Sequence, residues 1–287
     1  MLRSMESSRE RTDVNRRHTI PHAYVQLDET GRLDAYQLSW KPGDANPPHK
    51  FWDSDVAKWV EAASDALQAR PDKRLRALVN QATRLICSAQ QPDGYLNAHY
   101  TVVEPELRWK NLRDNHELYC AGHLIEAAVA HYQATGEQAF LDVMRGYADL
   151  IDSLFGRSTA KKRGYPGHEE IELALVKLYR STGEKRYQNL AEFFILEKGR
   201  KPHYYDRESR ERGEAPAPKG EGSGRRPAGL GAPALSDTAR RRLDDLDTPR
   251  RPGGGQDRRR GTLRPRPTTG ARPHPCRSRG AYPRRRP

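Results

Sequence analysis

The sequence predicts an all-α fold, and three observations carry the prediction. Apolar residues recur at spacings of three and four through most of residues 53–197, the period of helices buried along one face. Two junctions, Thr135-Gly136 and Thr182-Gly183, put glycine where a helix closes in the left-handed conformation. Both junctions lie in a repeat, in which Tyr132-Gln-Ala-Thr-Gly-Glu-Gln-Ala-Phe140 aligns with Tyr179-Arg-Ser-Thr-Gly-Glu-Lys-Arg-Tyr187 at a shift of 47 residues. Recurring helical hairpins imply a solenoid or a closed ring.

The first helix runs through Val56, Trp59, Val60, Ala63 and Leu67, with Asp53 or Ser54 as its cap and Arg70-Pro71 as its end. The second carries Leu75, Leu78, Val79, Ala82, Leu85, Ile86 and Ala89 and stops at Gln91-Pro-Asp-Gly-Tyr95. Helices three and four span about His116–Ala134 and Glu137–Leu154, and helices five and six about His168–Ser181 and Lys185–Glu197. These make about three hairpins. A ring of six would need roughly twice as much folded chain, so this one is open or incomplete.

Charge divides the chain. The 287 residues hold 51 basic and 38 acidic side chains, a net of +13. From Lys201 onward, 23 basic and 10 acidic residues account for all of that excess, and the first 200 residues balance at 28 of each. After Gly220 there are 18 Arg, no Lys, one Glu, much Pro and Gly, and few large apolar residues. Such a segment cannot bury enough surface to offset its ordering entropy. We therefore expect residues 1–18 to be a disordered N-terminus, 19–213 to fold, and 214–287 to be a disordered low-complexity tail. A natural basic tail and the out-of-frame product of a GC-rich gene explain this composition equally well.

Three cysteines, Cys87, Cys120 and Cys276, in no CxxC spacing, fit a reducing compartment. No run approaches the roughly 20 apolar residues that span a bilayer, and the charged N-terminus lacks the core of a signal peptide. The expectation is a soluble cytoplasmic protein with no membrane partner.

Two segments stand out as site material. His116-Glu-Leu-Tyr-Cys-Ala-Gly-His123 opens the third helix, and Gly164-Tyr-Pro-Gly-His168-Glu-Glu opens the fifth. A histidine at a helix entrance sits beside free N–H groups and can face a cavity. On a helical projection Leu118, Ala121, Ile125, Ala128, Val129 and Tyr132 share one face, while His116, Cys120, His123 and Ala127 share another, so this helix is expected to be an inner wall.

The same spacing allows a metal reading of His116, Cys120 and His123. However, Cys120 stands where the HExxH signature needs its second histidine, and we expect no metal there. Cys120 is expected to be a small buried hydrophobe, and Glu169 to cap the fifth helix. The turn at Gln90–Asn97 offers Asp93, Tyr95 and Asn97, and Arg108-Trp109-Lys-Asn-Leu112 precedes the His116 helix. Polar groups beside aromatic faces suit a sugar.

Six segments, in order, carry a resemblance. They are Trp40-Lys-Pro-Gly-Asp44, Phe51-Trp-Asp-Ser-Asp-Val-Ala-Lys-Trp59, Gln91-Pro-Asp-Gly-Tyr-Leu-Asn97, Arg108-Trp-Lys-Asn-Leu112, His116–His123 and Gly164–Leu175. Over about Thr19–Gly213 the chain resembles the N-terminal half of glycoside hydrolase family 127, the β-L-arabinofuranosidases. The resemblance implies part of an (α/α)6 toroid and an arabinofuranoside-type sugar as partner. It also implies retaining hydrolysis by a cysteine nucleophile held on zinc, with further cysteine and glutamate groups from the later half of the toroid. It makes His116 and His168, 52 residues apart, substrate-binding candidates; the loop residues Asp93, Tyr95 and Trp109 are candidates on their residue types alone.

No matching cysteine–glutamate cluster is present here. We therefore expect no catalytic residue, metal ligand or cofactor in this chain, and an activity absent or impaired. A non-catalytic sugar-binding fragment is the alternative; nucleic acid on the basic tail ranks last. Exposed apolar faces on helices five and six predict self-association through the open toroid edge.

Overall fold

A computed structural model describes residues 10–214. Its main helices are α1 (Ile20–Glu29), α2 (Trp52–Ala69), α3 (Lys73–Ser88), the single turn α4 (His99–Val102), α5 (Glu117–Thr135), α6 (Ala139–Leu154), α7 (Ile171–Thr182), α8 (Lys185–Lys198) and α9 (Tyr204–Glu211). The three expected hairpins are α2/α3, α5/α6 and α7/α8. In the inner layer α5 packs between α2 and α7, and in an outer layer α6 packs against both α3 and α8. This is a segment of an α/α toroid.

The repeat is visible in its caps. Gly136 and Gly183 adopt φ of 72° and 75°, and their N–H groups donate to Tyr132 O and Tyr179 O. The preceding Thr135 and Thr182 hydroxyls donate to His131 O and Leu178 O, and accept from the N–H of Glu137 and Glu184. The same Thr-Gly-Glu sequence folds into the same turn twice, tying each inner helix to its outer partner.

Several expectations are corrected. Residues 10–18, taken from their charge as unstructured, are helical and end in a π-helical turn, Asn15–Thr19. Their charges find partners: buried Arg16 pairs with Asp72 (2.6 Å) and Asp13 (3.2 Å), and Arg70 pairs with Asp13. Asp72 also caps α3, accepting from the N–H of Arg74 and Leu75. Helix α1 follows directly, with Ile20 and Tyr24 in the core and Ile20 O accepting from Trp59 Nε1.

Helix α2 starts one or two residues before its expected caps, with Phe51 at the N-cap position. Asp53 lies inside it, and its carboxylate accepts from the N–H of Ala98 at 2.9 Å. His168 stands three residues before α7 rather than within it. Helix α9 was not anticipated; its short polar sequence carries little helical apolar period.

On α7 and α8 Leu173 and Ile195 are exposed, at 55% and 59%. Among the described residues no helix is long and apolar enough to cross a membrane. The expectations for residues 1–9, for the tail beyond Glu214, and for Cys276 lie outside the described residues.

Candidate functional site

Where the N-terminal ends of α2 and α5 meet the loop before α7, a cleft of about 460 Å³ opens. Both sequence-predicted histidines line it. The His116 and His168 rings meet edge to face, with centroids 5.7 Å apart, although 52 residues separate them in the chain.

His116 is the N-cap of α5 and holds a left-handed backbone, φ 59°, uncommon for a residue with a side chain. Its Nδ1 lies 2.6 Å from Asp114 O. A carbonyl only accepts, so Nδ1 carries the proton and Nε2 of the neutral ring is an acceptor. Burial, with help from Lys50 and His168, pushes the His116 pKa below the ordinary imidazole value and keeps the ring neutral. The ring also packs against Phe51 at 4.7 Å.

His168 is exposed, and its loop is fixed from behind. Gly167 N–H donates to Leu112 O (3.0 Å), and a Cβ on Gly167 would stand 2.0 Å from Arg113 O. Only glycine lets the two loops meet that closely. Gly122 does the same for the helices, since a Cβ there would lie 2.9 Å from Ile171 N at the start of α7. The unanticipated α9 braces both loops: Glu208 accepts from Leu112 N–H, and Tyr205 OH donates to Pro166 O.

Sequence reasoning missed the rest of the wall, which includes Arg32, Phe51, Trp52, Asp55, Lys58 and Tyr119. Lys58 Nζ donates to Tyr119 OH at 2.7 Å, and Arg32 Nε pairs with Asp55 at 2.9 Å. The signal was present. Trp52, Asp55 and Lys58 recur every three residues on α2, on a stripe beside the apolar face of Val56, Val60 and Ala63, and Tyr119 is one turn on from His116.

Asp93, Tyr95 and Trp109, expected beside the histidines as substrate-binding residues, are not among the residues that line the cleft. Tyr95 is fully buried, and its OH donates to Glu117 Oε1 at 2.6 Å, while Trp109 N–H donates to Glu117 Oε2 at 2.7 Å. Asp93 is exposed, accepts from Tyr95 N–H and pairs with Arg108. Glu117, the first residue of α5, clamps both loops behind His116. Burial pushes its pKa up to about 7, against the opposing effect of its two hydrogen bonds.

The three residues of the metal reading are drawn to different partners. Cys120 Sγ donates to Lys50 O at 3.2 Å, and burial pushes its thiol well above the ordinary range. His123 Nδ1 lies 3.1 Å from Glu170 Oε1. Glu170 thus sits against His123 and Glu126 at the start of α7, while Glu169 pairs with Lys198 rather than capping. Glu61, His123 and Glu126 bring ligand atoms within 4.8 Å of one another. Lys177 already supplies the cation there, 3.3 Å from Glu61 and ion-paired with Glu126. Burial and the facing Glu126 raise the Glu170 pKa. A zinc-held cysteine does not fit the described residues: Cys120 is a buried thiol bonded to a carbonyl, and the other, Cys87, is buried in α3.

A concave cleft at the helix ends, holding paired imidazoles among polar and aromatic side chains, has the form of a small-molecule binding site. The chain matches the family described as "Beta-L-arabinofuranosidase, GH127 catalytic domain" over residues 3–221, and it belongs to that family. It is 45% identical over 159 residues to the non-reducing end β-L-arabinofuranosidase of Bifidobacterium longum subsp. longum, covering 54% of this chain and 24% of that protein.

Two solved structures are similar. Ara127N-Se, a GH127 β-L-arabinofuranosidase from Geobacillus stearothermophilus T6, has a TM-score of 0.69 at 45% identity, over 72% of this chain and 34% of that one. A GH127 β-arabinofuranosidase, BT3674, has a TM-score of 0.63 at 36% identity, with the same coverage of both chains. The chain thus spans between a quarter and a third of the length of these relatives.

Proposed function

We propose that residues 10–214 form the sugar-holding part of a β-L-arabinofuranosidase-type glycoside hydrolase, with a terminal arabinofuranosyl residue bound between His116 and His168. The single observation that carries this reading is the meeting of the two imidazoles in one cleft. A neutral His116 offers an acceptor to a sugar hydroxyl, Lys58 and Tyr119 offer donors, and Phe51 and Trp52 offer apolar faces to its C–H groups.

Bond cleavage needs more. Hydrolysis with retention requires a nucleophile and a proton donor flanking the anomeric carbon. The buried Cys120 thiol cannot reach a sugar, and zinc belongs in this proposal to the complete family enzyme. The chain therefore binds the glycoside and turns it over weakly or not at all. Association through the edge carrying Leu173 and Ile195 is part of the same proposal, and sedimentation of the wild type against Leu173→Glu tests it.

Calorimetric titration with methyl β-L-arabinofuranoside tests the main reading. The wild type binds, and His116→Ala and His168→Ala each weaken binding at least about tenfold, or 1.4 kcal/mol. Equal binding by all three proteins contradicts it. Turnover of an aryl β-L-arabinofuranoside by the chain would contradict the inactivity.

A further inference from the structure

The three inner helices share a polar cluster that does not line the sugar cleft. Glu61 comes from α2, His123 and Glu126 from α5, Glu170 from the N-cap of α7 and Lys177 from within α7. His123 Nδ1 lies 3.1 Å from a Glu170 oxygen and 3.6 Å from a Glu126 oxygen, so two carboxyls close on one imidazole nitrogen. Lys177 pairs with Glu126 and, at 3.3 Å, with Glu61. The cluster is one ring away from the cleft: Tyr119 packs on His123 at 4.6 Å and on His168 at 5.2 Å.

Glu170 follows His168 by two residues, so whatever holds its side chain holds one end of the His168 loop. That side chain lies across α5 at Gly122, where a Cβ would stand 2.8 Å from Glu170 Cγ. The other end is pinned by Gly167 N–H on Leu112 O. Of the two anchors, the one at Glu170 can titrate. The Glu126 and Glu170 carboxyls are hydrogen-bonded to each other, and a carboxylate only accepts, so one of them carries a proton. Burial, then Glu126 and Glu61, raises Glu170 above the ordinary 4.5 against the effect of Lys177. Against its own burial, Glu126 is held low by His123, Glu170 and Lys177. The proton therefore sits on Glu170. Of the nearby acids, Glu172 accepts from the Glu170 N–H and Glu169 turns to Lys198.

We infer that Glu170 is a positioning residue for His168, and that the proton it shares with Glu126 latches the His168 loop onto α5. This rests on reading His168 as a sugar contact. Loss of the proton leaves two carboxylates facing each other among three acids and one lysine, and like charges at that range repel. The Glu170 side chain is then driven off α5, and the loop loosens with it. Sugar affinity therefore falls as pH rises through the titration of Glu170.

The test is titration of the full chain with methyl β-L-arabinofuranoside at about pH 6 and about pH 9, together with the hydrogen-exchange protection factor of the Gly167 amide at each pH. From the lower to the higher pH the wild type should lose affinity at least about fivefold, with a parallel loss of Gly167 protection. Glu170→Gln, whose amide donates to Glu126 at every pH, should bind like the low-pH wild type and lose neither quantity. Any titration of the histidines is common to both proteins and cancels in the comparison. Glu126→Gln, which donates to an ionised Glu170, should also flatten the profile and serves if the first variant does not fold. A wild type with constant affinity and protection, or a Gln variant that falls as the wild type does, would overturn the inference while leaving the histidine cleft standing. Absence of sugar binding in every protein at both pH values would overturn the cleft instead, and Gly167 protection would still decide the latch.

Discussion

Two neighbouring regions of this domain look alike as sequence and differ as structure. The His116–His168 cleft and the Tyr95–Trp109–Glu117 cluster both combine aromatic rings with titratable groups, and both meet at the first turn of α5. One opens to solvent; the other is closed, with Tyr95 fully buried and Glu117 at 2% exposure. A polar group in the open region keeps capacity for a ligand, whereas each one in the closed region is already spent on another part of the protein. The closed cluster is what holds the open one in shape.

The comparison breaks most visibly at Glu117. Glu117→Ala strands the Tyr95 hydroxyl and the Trp109 N–H and leaves a cavity, at a cost of about 3 kcal/mol. A melting curve should show this as a fall of roughly 6 to 12 °C in Tm. A loss no larger than that of a surface substitution would mean that the clamp does not organise the loops.

Titration sharpens the same point. The carboxyl of Glu117 is raised from 4.5 to about 7 in the fold, so the folded state holds its proton more tightly than the unfolded chain. Its contribution is complete below the unfolded value and is lost as pH rises through the folded one, on the order of 3 kcal/mol across that window. Wild-type stability should fall from about pH 4.5 to above 7 relative to Glu117→Gln, which removes the titration; parallel curves would contradict the assignment.

The open region should respond in the opposite way. His116→Ala is expected to weaken methyl arabinofuranoside binding about tenfold or more while moving Tm far less than Glu117→Ala. Smallest of all, Tyr95→Phe removes one buried hydrogen bond, costs about 1 kcal/mol and leaves sugar affinity at the wild-type level in the folded protein. A sugar-binding defect in Tyr95→Phe would return that tyrosine to the site.

The sequence made the hairpins legible because periodicity and the Thr-Gly caps are local, and each cap turned out to be closed by residues within five positions of it. His116 and His168 were legible as a pair only through a family resemblance, since no local rule places residues 52 apart in one cleft. Residue type reports what a side chain can bond, not what has already bonded it: Glu117 holds Tyr95 and Trp109, and Arg108 pairs with Asp93. The N-terminal helix was hidden for a similar reason: Arg16 reads as solvent-facing until Asp72, 56 residues away, supplies its partner. The Trp52, Asp55 and Lys58 stripe on α2 is readable at a spacing of three, but only the fold shows that it faces the histidines.

The central claim is that two histidines from separate hairpins hold one sugar. Imidazole NMR of the ¹⁵N-histidine-labelled chain during titration with methyl β-L-arabinofuranoside tests it directly. The account predicts that the ring signals of His116 and His168 move together along one saturation curve while those of the buried His131 stay still. Independent responses, or no movement in either ring at sugar saturation, would contradict it.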